Sequence, residues 1–428
     1  MSAPLPQRVL ILENSRSYAS MLAEAMEQRL GLPVALARTL AEADAALASN
    51  PDIFLVLSGL VLPDATQDAI IERLAQTGLP VVVVSSTYDE ALRERILGRS
   101  VIDYVIKSAP GHLDYLAWLA QRLDRNRRIA ALVVDDSPSA RLMAAELLSS
   151  YGFRVLLATS GEHGLRAVEQ DHGIRLVITD HEMPGMTGVE LSAKLRERYP
   201  RDRLAIIGVS GANKPELVAR FLKNGANDFL HKPFSREEFF CRVSQNIDNL
   251  DLIGTLQDLA TKDFLTGLSN RRHFFELAER RLEGYRQAGR QAAVATLDID
   301  HFKKINDTWG HDGGDLALKA VARVLQSHMR QEDICARFGG EEFVVLAGGL
   351  DTDASRAYFE ALRERIAAID VELPDDRRFG LTTSIGVRLI PAGEVVALHA
   401  ALNDSDRQLY LATAGGRNRV DITATTAA

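Results

Sequence analysis

The chain has 428 residues, 58 of them acidic and 50 basic, for a formal net charge of −8. That length predicts two or three domains, each large enough to bury its own core. The acidic balance argues against nucleic acid or an anionic membrane surface as the main partner. No apolar run reaches the roughly 18 residues of a membrane-spanning helix, and residues 1–7 lack a signal-peptide pattern.

Residues 8–127 and 130–248 carry the same order of strands and helices, the mark of an internal duplication. Each opens with an apolar strand, 9–12 and 131–134. Each then alternates helical periods with short apolar runs, as in a parallel sheet wrapped by helices. The polar run Arg125-Asn126-Arg127-Arg128 is the expected linker. Landmarks keep step between the copies: Asn14 and Asp136 are 122 apart, Gly59 and Asp180 121, Ser85 and Ser210 125, Lys107 and Lys232 125.

In the second copy Asp135 and Asp136 follow the first strand, and Asp180 ends the third before His181-Glu182-Met183-Pro184-Gly185. Ser210 ends the fourth strand and Lys232-Pro233 follows the fifth. This arrangement resembles the receiver domain of two-component response regulators. The resemblance implies a flavodoxin-like fold with a five-stranded parallel sheet and a crevice at the carboxyl ends of the strands. It implies Asp180 as the phosphoacceptor, with Mg²⁺ near Asp135, Asp136 and Asp180. Ser210 and Lys232 would take the phosphoryl oxygens, Phe229 would be the aromatic switch, and the donor would be a sensor histidine kinase or phosphotransfer protein. The first copy departs from the pattern. Glu13-Asn14 replace Asp135-Asp136, and Gly59, which has no oxygen to accept phosphate, replaces Asp180. It resembles a pseudo-receiver serving as a dimerisation or adaptor surface, in which Ser85, Lys107 and Tyr104 are remnants and neither Asp52 nor Asp64 is placed to substitute.

A helix is predicted over 236–260 from the spacing of Phe240, Val243, Ile247, Leu250, Gly254 and Leu259. The stripe suits packing on its own domain better than a coiled-coil seam, because only about two heptads are apolar. The two cysteines, Cys241 and Cys335, make no metal or disulfide pattern and read as reduced core residues of a cytoplasmic protein. The low-complexity tail 423–428 is expected to be disordered.

Further along, 292–297 reads as a buried strand ending in Asp298-Ile299-Asp300. Phe302-Lys303-Lys304-Ile305-Asn306-Asp307 and Gly310-His311-Asp312-Gly313-Gly314-Asp315 follow. Arg337-Phe338-Gly339-Gly340-Glu341-Glu342-Phe343 then joins two apolar runs, which predicts a hairpin turning at Gly339-Gly340. Glu341 and Glu342 would point to opposite faces of the following strand. With the opening Asp263-Phe264-Leu265-Thr266-Gly267-Leu268-Ser269-Asn270-Arg271-Arg272 and the closing Gly416-Arg417-Asn418-Arg419-Val420, this region resembles the GGDEF family of diguanylate cyclases, in its Gly-Gly-Glu-Glu-Phe variant.

That resemblance implies an α/β domain with a nucleotidyl-cyclase or palm-like sheet that condenses two GTP into cyclic di-GMP, and hence a homodimer. It implies Asp298, Glu341 and the Ile299 carbonyl as ligands of Mg²⁺, or of Mn²⁺ in its place. Glu342 would be the general base, and Lys303 would stabilise charge in the transition state. Phe302, Lys303 and Arg417 would bind the phosphates, Gly339 and Gly340 would let the nucleotide lie on the backbone, and Asn306 and Asp315 would read guanine. Arg330 and Asp333 match a product-inhibition site, with Arg363 as a helper. Thr413 stands where the family commonly has a lysine, which favours, as the alternative, a catalytically weak domain that senses cyclic di-GMP or GTP. The expected division is 1–127 (pseudo-receiver), 128–250 (receiver) and 251–428 (GGDEF domain).

Overall fold

Short runs rich in Val, Ile and Leu make the first parallel sheet. They are β1 (Arg8–Leu12), β2 (Val34–Ala37), β3 (Ile53–Ser58), β4 (Val81–Ser85) and β5 (Val101–Ile106), in the order β2-β1-β3-β4-β5. Helices α1 (Arg16–Leu30), α2 (Leu40–Ser49), α3 (Gln67–Ala75), α4 (Glu90–Leu97) and α5 (His112–Asn126) cover it. All six residues of β3 are buried, as a sheet with helices on both faces requires. The computed structural model describes residues 8–87, 89–97, 101–211 and 215–423; the sequence readings for 1–7 and for 424–428 of the tail fall outside them.

The pattern then repeats. The strands are β6 (Ala130–Val134), β7 (Arg154–Ala158), β8 (Ile174–Asp180), β9 (Ala205–Ser210) and β10 (Asp228–His231), ordered β10-β9-β8-β6-β7. Read from the other edge, this is the order of the first sheet. The helices are α6 (Pro138–Ser150), α7 (Gly161–Gln170), α8 (Gly188–Arg196), α9 (Pro215–Lys223) and α10 (Arg236–Thr261).

Both sheets belong to one unit, Met1–Ile253. A single apolar cluster runs through it, joining Leu116 and Leu119 of α5, Leu148 of α6 with Tyr151 just after it, and Phe240 and Val243 of α10. Tyr151 stacks on Phe240 at 4.2 Å, and the buried Arg122 guanidinium pairs with Asp248 at 2.7 Å and Asp251 at 3.0 Å. The run 125–128 is therefore not the polar linker expected of it. Helix α5 continues through Asn126, which is fully buried; its amide donates to the Tyr151 carbonyl at 2.9 Å and its oxygen accepts from Arg122 at 3.0 Å. The run thus contains one buried, hydrogen-bonded amide, Asn126, beside the exposed Arg125 and Arg128, and is not a solvated break. In α10 the stripe divides: Phe240, Val243, Ile247 and Leu250 are buried, whereas Leu252, Leu256 and Leu259 are exposed. Cys241 is exposed on the same helix, contrary to its core reading, and Cys335 is half-buried, its thiol pushed up to about 11 by burial.

The second unit, Gly254–Ala428, is built on a mixed sheet ordered β11-β13-β14-β12-β17-β18. Its elements are β11 (Ser269–Asn270), α11 (Arg271–Gln287), β12 (Ala292–Ile299), α12 (Phe302–His328), β13 (Ile334–Gly339) and β14 (Glu342–Gly348). They continue with α13 (Thr352–Ala367), β15 (Asp370–Glu372), β16 (Arg378–Gly380), β17 (Thr383–Ile390), α14 (Leu398–Ala414) and β18 (Val420–Ile422). Strand β12 lies between β14 and β17, antiparallel to both. Its alternation sorts the core: Ala293, Ala295 and Leu297 pack with α12 and α13, and Ala292 and Val294 with α11 and α14. Among the described residues no helix is long and apolar enough to cross a membrane.

Candidate active site

The hairpin turns one residue later than the glycine pair predicts. Gly339 is still the last residue of β13 and pairs with Glu342, after a bulge that follows the Arg337–Phe343 pair. The two loop residues are Gly340, at φ +51°, and Glu341. Glu341 thus lies in the turn, and strand alternation does not separate it from Glu342. Arg337, at the start of the bulge, braces the turn. Its guanidinium donates to the Gly340 carbonyl at 3.0 and 2.8 Å and to Asp263 at 3.1 Å. Asp263 in turn accepts from the Thr266 amide at 2.9 Å and hydroxyl at 2.6 Å, and these bonds with Arg337 hold its carboxyl below the usual range against burial. Both residues lie in the quoted motifs, yet sequence reasoning gave neither a role. A Cβ at Gly339 or Gly340 would meet nothing within 4 Å, so open space lies over the turn.

Asp298 pairs across the sheet with Glu342 on one side and Ser384 on the other. Its carboxyl is pushed up to about 7, first by burial and then by the charges of Glu341, Glu342 and Asp300; Arg417 opposes the shift. The predicted Asp298, Glu341, Glu342 and Arg417 are therefore gathered at one strand end. Mutually repelling carboxylates form a donor set that a divalent cation would relieve. Among the described residues no group of three or more His, Cys, Asp or Glu side chains is arranged to hold a metal ion.

After β12 the chain turns through His301, at φ +56°, into α12. Phe302 starts the helix and Lys303 is exposed beside it. The helix kinks at Gly310, leaving Asn306 before the kink and Asp315 after it. A Cβ at Gly314 would lie 2.0 Å from Asn306 Oδ1, so the glycine makes room for that amide. The Thr413 hydroxyl donates back along its own helix to the Leu409 carbonyl at 2.9 Å. Asp300, given no role by sequence reasoning, is a buried hub. Its carboxylate accepts from Thr382 at 2.7 Å, Ser384 at 2.7 Å and the Asn418 amide at 3.0 Å. The doublet Asp298-x-Asp300 was the available signal.

Arg330 and Asp333 meet as a closed pair. Asp333 accepts from the Arg330 guanidinium at 3.0 and 2.7 Å and from the Tyr358 hydroxyl at 2.8 Å, leaving its side chain with no exposure, whereas Arg330 is 41% exposed. Arg363 instead reaches Asn418, donating at 3.0 Å.

In the first unit, Lys232 Nζ donates to Asp135 at 2.9 Å and to Asp180 at 2.6 Å, and Asp180 also accepts from the Glu182 amide at 2.8 Å. Burial raises the Asp180 carboxyl above its ordinary range; Lys232 opposes the shift and Asp135 adds to it. Asp136 is exposed at the rim, while Ser210 and Phe229 are buried. In the first sheet Glu13 accepts from Lys107 Nζ at 2.6 Å. Asp64 caps α2, accepting from the Leu40 and Ala41 amides, and Asp52 pairs with Arg8.

A family model of the diguanylate cyclase GGDEF domain matches residues 260–419, and one of the response regulator receiver domain matches 131–244. The protein named probable diguanylate cyclase DgcC of Escherichia coli K12 is 38% identical over 169 residues, which cover 40% of this chain and 45% of that one. Response regulator PleD of Caulobacter vibrioides NA1000 is 32% identical over 241 residues, 54% of this chain and 53% of that one. The chain thus spans about half the length of these curated relatives. A solved structure described as a probable two-component system response regulator/GGDEF domain protein is 39% identical, with a TM-score of 0.52, over 57% of this chain and 99% of that one. The chain belongs to the proteins that join a response regulator receiver domain to a GGDEF domain.

Proposed function

We propose that the chain is a diguanylate cyclase, which condenses two GTP into cyclic di-GMP and two pyrophosphates. The observation that carries this reading is the gathering of Asp298, Glu341 and Glu342 at one strand end, where burial first and the neighbouring carboxylates second raise Asp298 to about 7 and Arg417 opposes the shift. Asp298, Glu341 and the Ile299 carbonyl would hold Mg²⁺ or Mn²⁺; such an ion, when bound, polarises the α-phosphate and offsets the triphosphate charge. Lys303, the Phe302 amide and Arg417 bind the phosphates, Gly339 and Gly340 let the nucleotide approach the turn, and Asn306 and Asp315 read the guanine edge. Glu342 takes the proton of the attacking 3′-hydroxyl. That oxygen bonds to the α-phosphorus of the facing GTP, and pyrophosphate leaves with the bridging oxygen. The second such attack closes the ring. One domain holds one GTP, so two chains must face each other.

The functional division is 1–127, a degenerate receiver; 128–250, a receiver with Asp180 as phosphoacceptor and Mg²⁺ at Asp135, Asp136 and Asp180; and 251–428, the cyclase. Phosphoryl transfer from a histidine kinase or phosphotransfer protein in the cytoplasm would favour the dimer, with Ser210 and Lys232 holding the phosphoryl oxygens. Product would inhibit at Arg330 and Asp333, where a ligand must open the existing pair. Thr413, at the position where the family commonly has a lysine, favours a second reading, a weak cyclase that senses its nucleotide.

Purified chain incubated with GTP and Mg²⁺ is expected to yield cyclic di-GMP, resolved by chromatography. Asp298→Asn and Glu341→Gln should each reduce the rate by on the order of a hundredfold. Nucleotide binding without product in the wild type would leave the sensing reading.

A further inference from the structure

Three successive residues after α14, Gly416, Arg417 and Asn418, have φ of +118°, +66° and +46°. Two of them carry side chains in a region that L-residues avoid, so the surrounding structure must hold them there. It does so from several sides. The Arg417 amide donates to the Ala412 carbonyl of α14 at 3.1 Å, and the Ile385 amide of β17 donates to the Arg419 carbonyl at 2.9 Å. The Asn418 amide donates to Asp300 at 3.0 Å, and Asn418 Oδ1 accepts from Arg363 of α13 at 3.0 Å.

Asp300 is the unusual member. It is buried, and three neutral donors share its carboxylate. A buried charge is costly unless its hydrogen bonds are complete. Packing β12 against β17 does not require one. What the carboxylate adds, and a neutral side chain of the same size would not, is a charge-assisted hold on the backbone next to Arg417. That grip fixes the loop from which the guanidinium acts on Asp298. With Thr413 turned onto its own helix, that end of α14 offers the substrate no lysine, and the placement of Arg417 carries more of the phosphate binding.

We propose that Asp300 is a positioning residue that sets Arg417 against the triphosphate of the substrate, and that Arg363, through Asn418, is its second anchor. The inference rests on the cyclase reading above and extends it to residues that touch no substrate. A loosened loop weakens triphosphate binding more than it slows the chemistry, so the mark of this role is a rise in KM.

The test uses the full chain. Asp300→Asn keeps the shape but replaces one acceptor oxygen with a donor, and should raise KM for GTP roughly tenfold with kcat changed by less than about threefold. Arg363→Ala should raise KM about threefold, and Arg363→Lys, which can still donate to Asn418, should recover part of that loss. Thermal melting of each variant checks that it is folded, and a fluorescent GTP analogue with Ca²⁺ reads affinity without turnover. An unchanged KM and analogue affinity in folded Asp300→Asn would overturn the anchor while leaving the cyclase intact. So would a fall in kcat alone, or Arg363→Lys behaving as Arg363→Ala. Wild-type chain that binds the analogue but makes no cyclic dinucleotide would overturn the cyclase reading alone, and the anchor is then judged on affinity. No analogue binding by the wild type would overturn both.

Discussion

The two parallel sheets share a strand order, and their acidic strand ends differ by a methylene (Glu13 for Asp135), an amide (Asn14 for Asp136) and a missing side chain (Gly59 for Asp180). In the second, Asp135 accepts from the Ser137 amide at 2.9 Å and from Lys232 at 2.9 Å, and Asp180 takes a further bond from the same lysine. In the first, Glu13 makes the matching pair of bonds, with the Ser15 amide at 2.9 Å and Lys107 at 2.6 Å. The longer side chain then fills the space of the absent aspartate, for a Cβ built on Gly59 would lie 2.7 Å from Glu13 Oε2. One carboxylate faces one ammonium in the first sheet, and two face one in the second. The first is a closed, neutral ion pair, with Glu13 only 6% exposed. The second holds one more carboxylate than ammonium, the charge pattern that the proposed Mg²⁺ and phosphoryl group at Asp180 would use.

The harshest way to break this comparison is to remove Asp180. An acyl-phosphate donor should add one phosphoryl group to the wild-type chain and none to Asp180→Asn, read by intact mass. Label persisting in the variant would mean that the first sheet, or another side chain, accepts phosphate. Next in size is the attempt to convert the first sheet into the second. Gly59→Asp alone should destabilise the first unit by about 3 kcal/mol, because it forces a second carboxylate against Glu13 in a filled space. Adding Glu13→Asp should restore most of that, as measured by urea denaturation, and adding Asn14→Asp as well should create a second Mg²⁺-dependent phosphoryl site. If the single variant is as stable as wild type, Glu13 does not fill the pocket.

How far the sequence foretold this depends on the range of the forces involved. The duplication was legible because its chemical residues sit at strand ends, where spacing is fixed by the fold. The strand Ala292–Ile299 and the first half of the helix beginning at Arg236 were legible because each carries a clear hydrophobic period. The register at the hairpin was not. The bulge after Arg337 depends on a guanidinium held by Asp263, and local turn rules carry no information about that partner. The buried Asn126 was misread for the same reason, since its amide is satisfied by Tyr151. Asp300 lies beyond any local rule, because its partners Thr382, Ser384 and Asn418 are 82, 84 and 118 residues away. Glu13 shows a finer limit: the substitution was visible, but only side-chain reach reveals that it closes the site.

The gentlest probe of the comparison is pH. Asp180 has a folded-state carboxyl raised above its ordinary value, so ionising it costs stability; the cost is present above the raised value and is relieved as pH falls through it. Lys232 is itself raised by Asp180 and Asp135 against burial, so its contribution is complete below the ordinary lysine value and is lost only as pH rises past the raised one. Below neutral pH the lysine is therefore constant and, of this pair, only the carboxyl responds. Replacing it, as in Lys232→Met, removes the opposition to the carboxyl shift and should enlarge the acid-side gain. Solvent screening at this rim keeps the change near ~0.5 kcal/mol, or about 1–2 °C in melting temperature. Measured without divalent metal, the variant should therefore gain that much relative to wild type on going from pH 7 to pH 5. Saturating Mg²⁺ should abolish the difference at pH 7, because the cation then offsets the charge the lysine no longer does. Equal pH dependence in the two proteins would mean that Lys232 does not govern the ionisation of Asp180, and the charge-count contrast with Glu13 and Lys107 would fall with it.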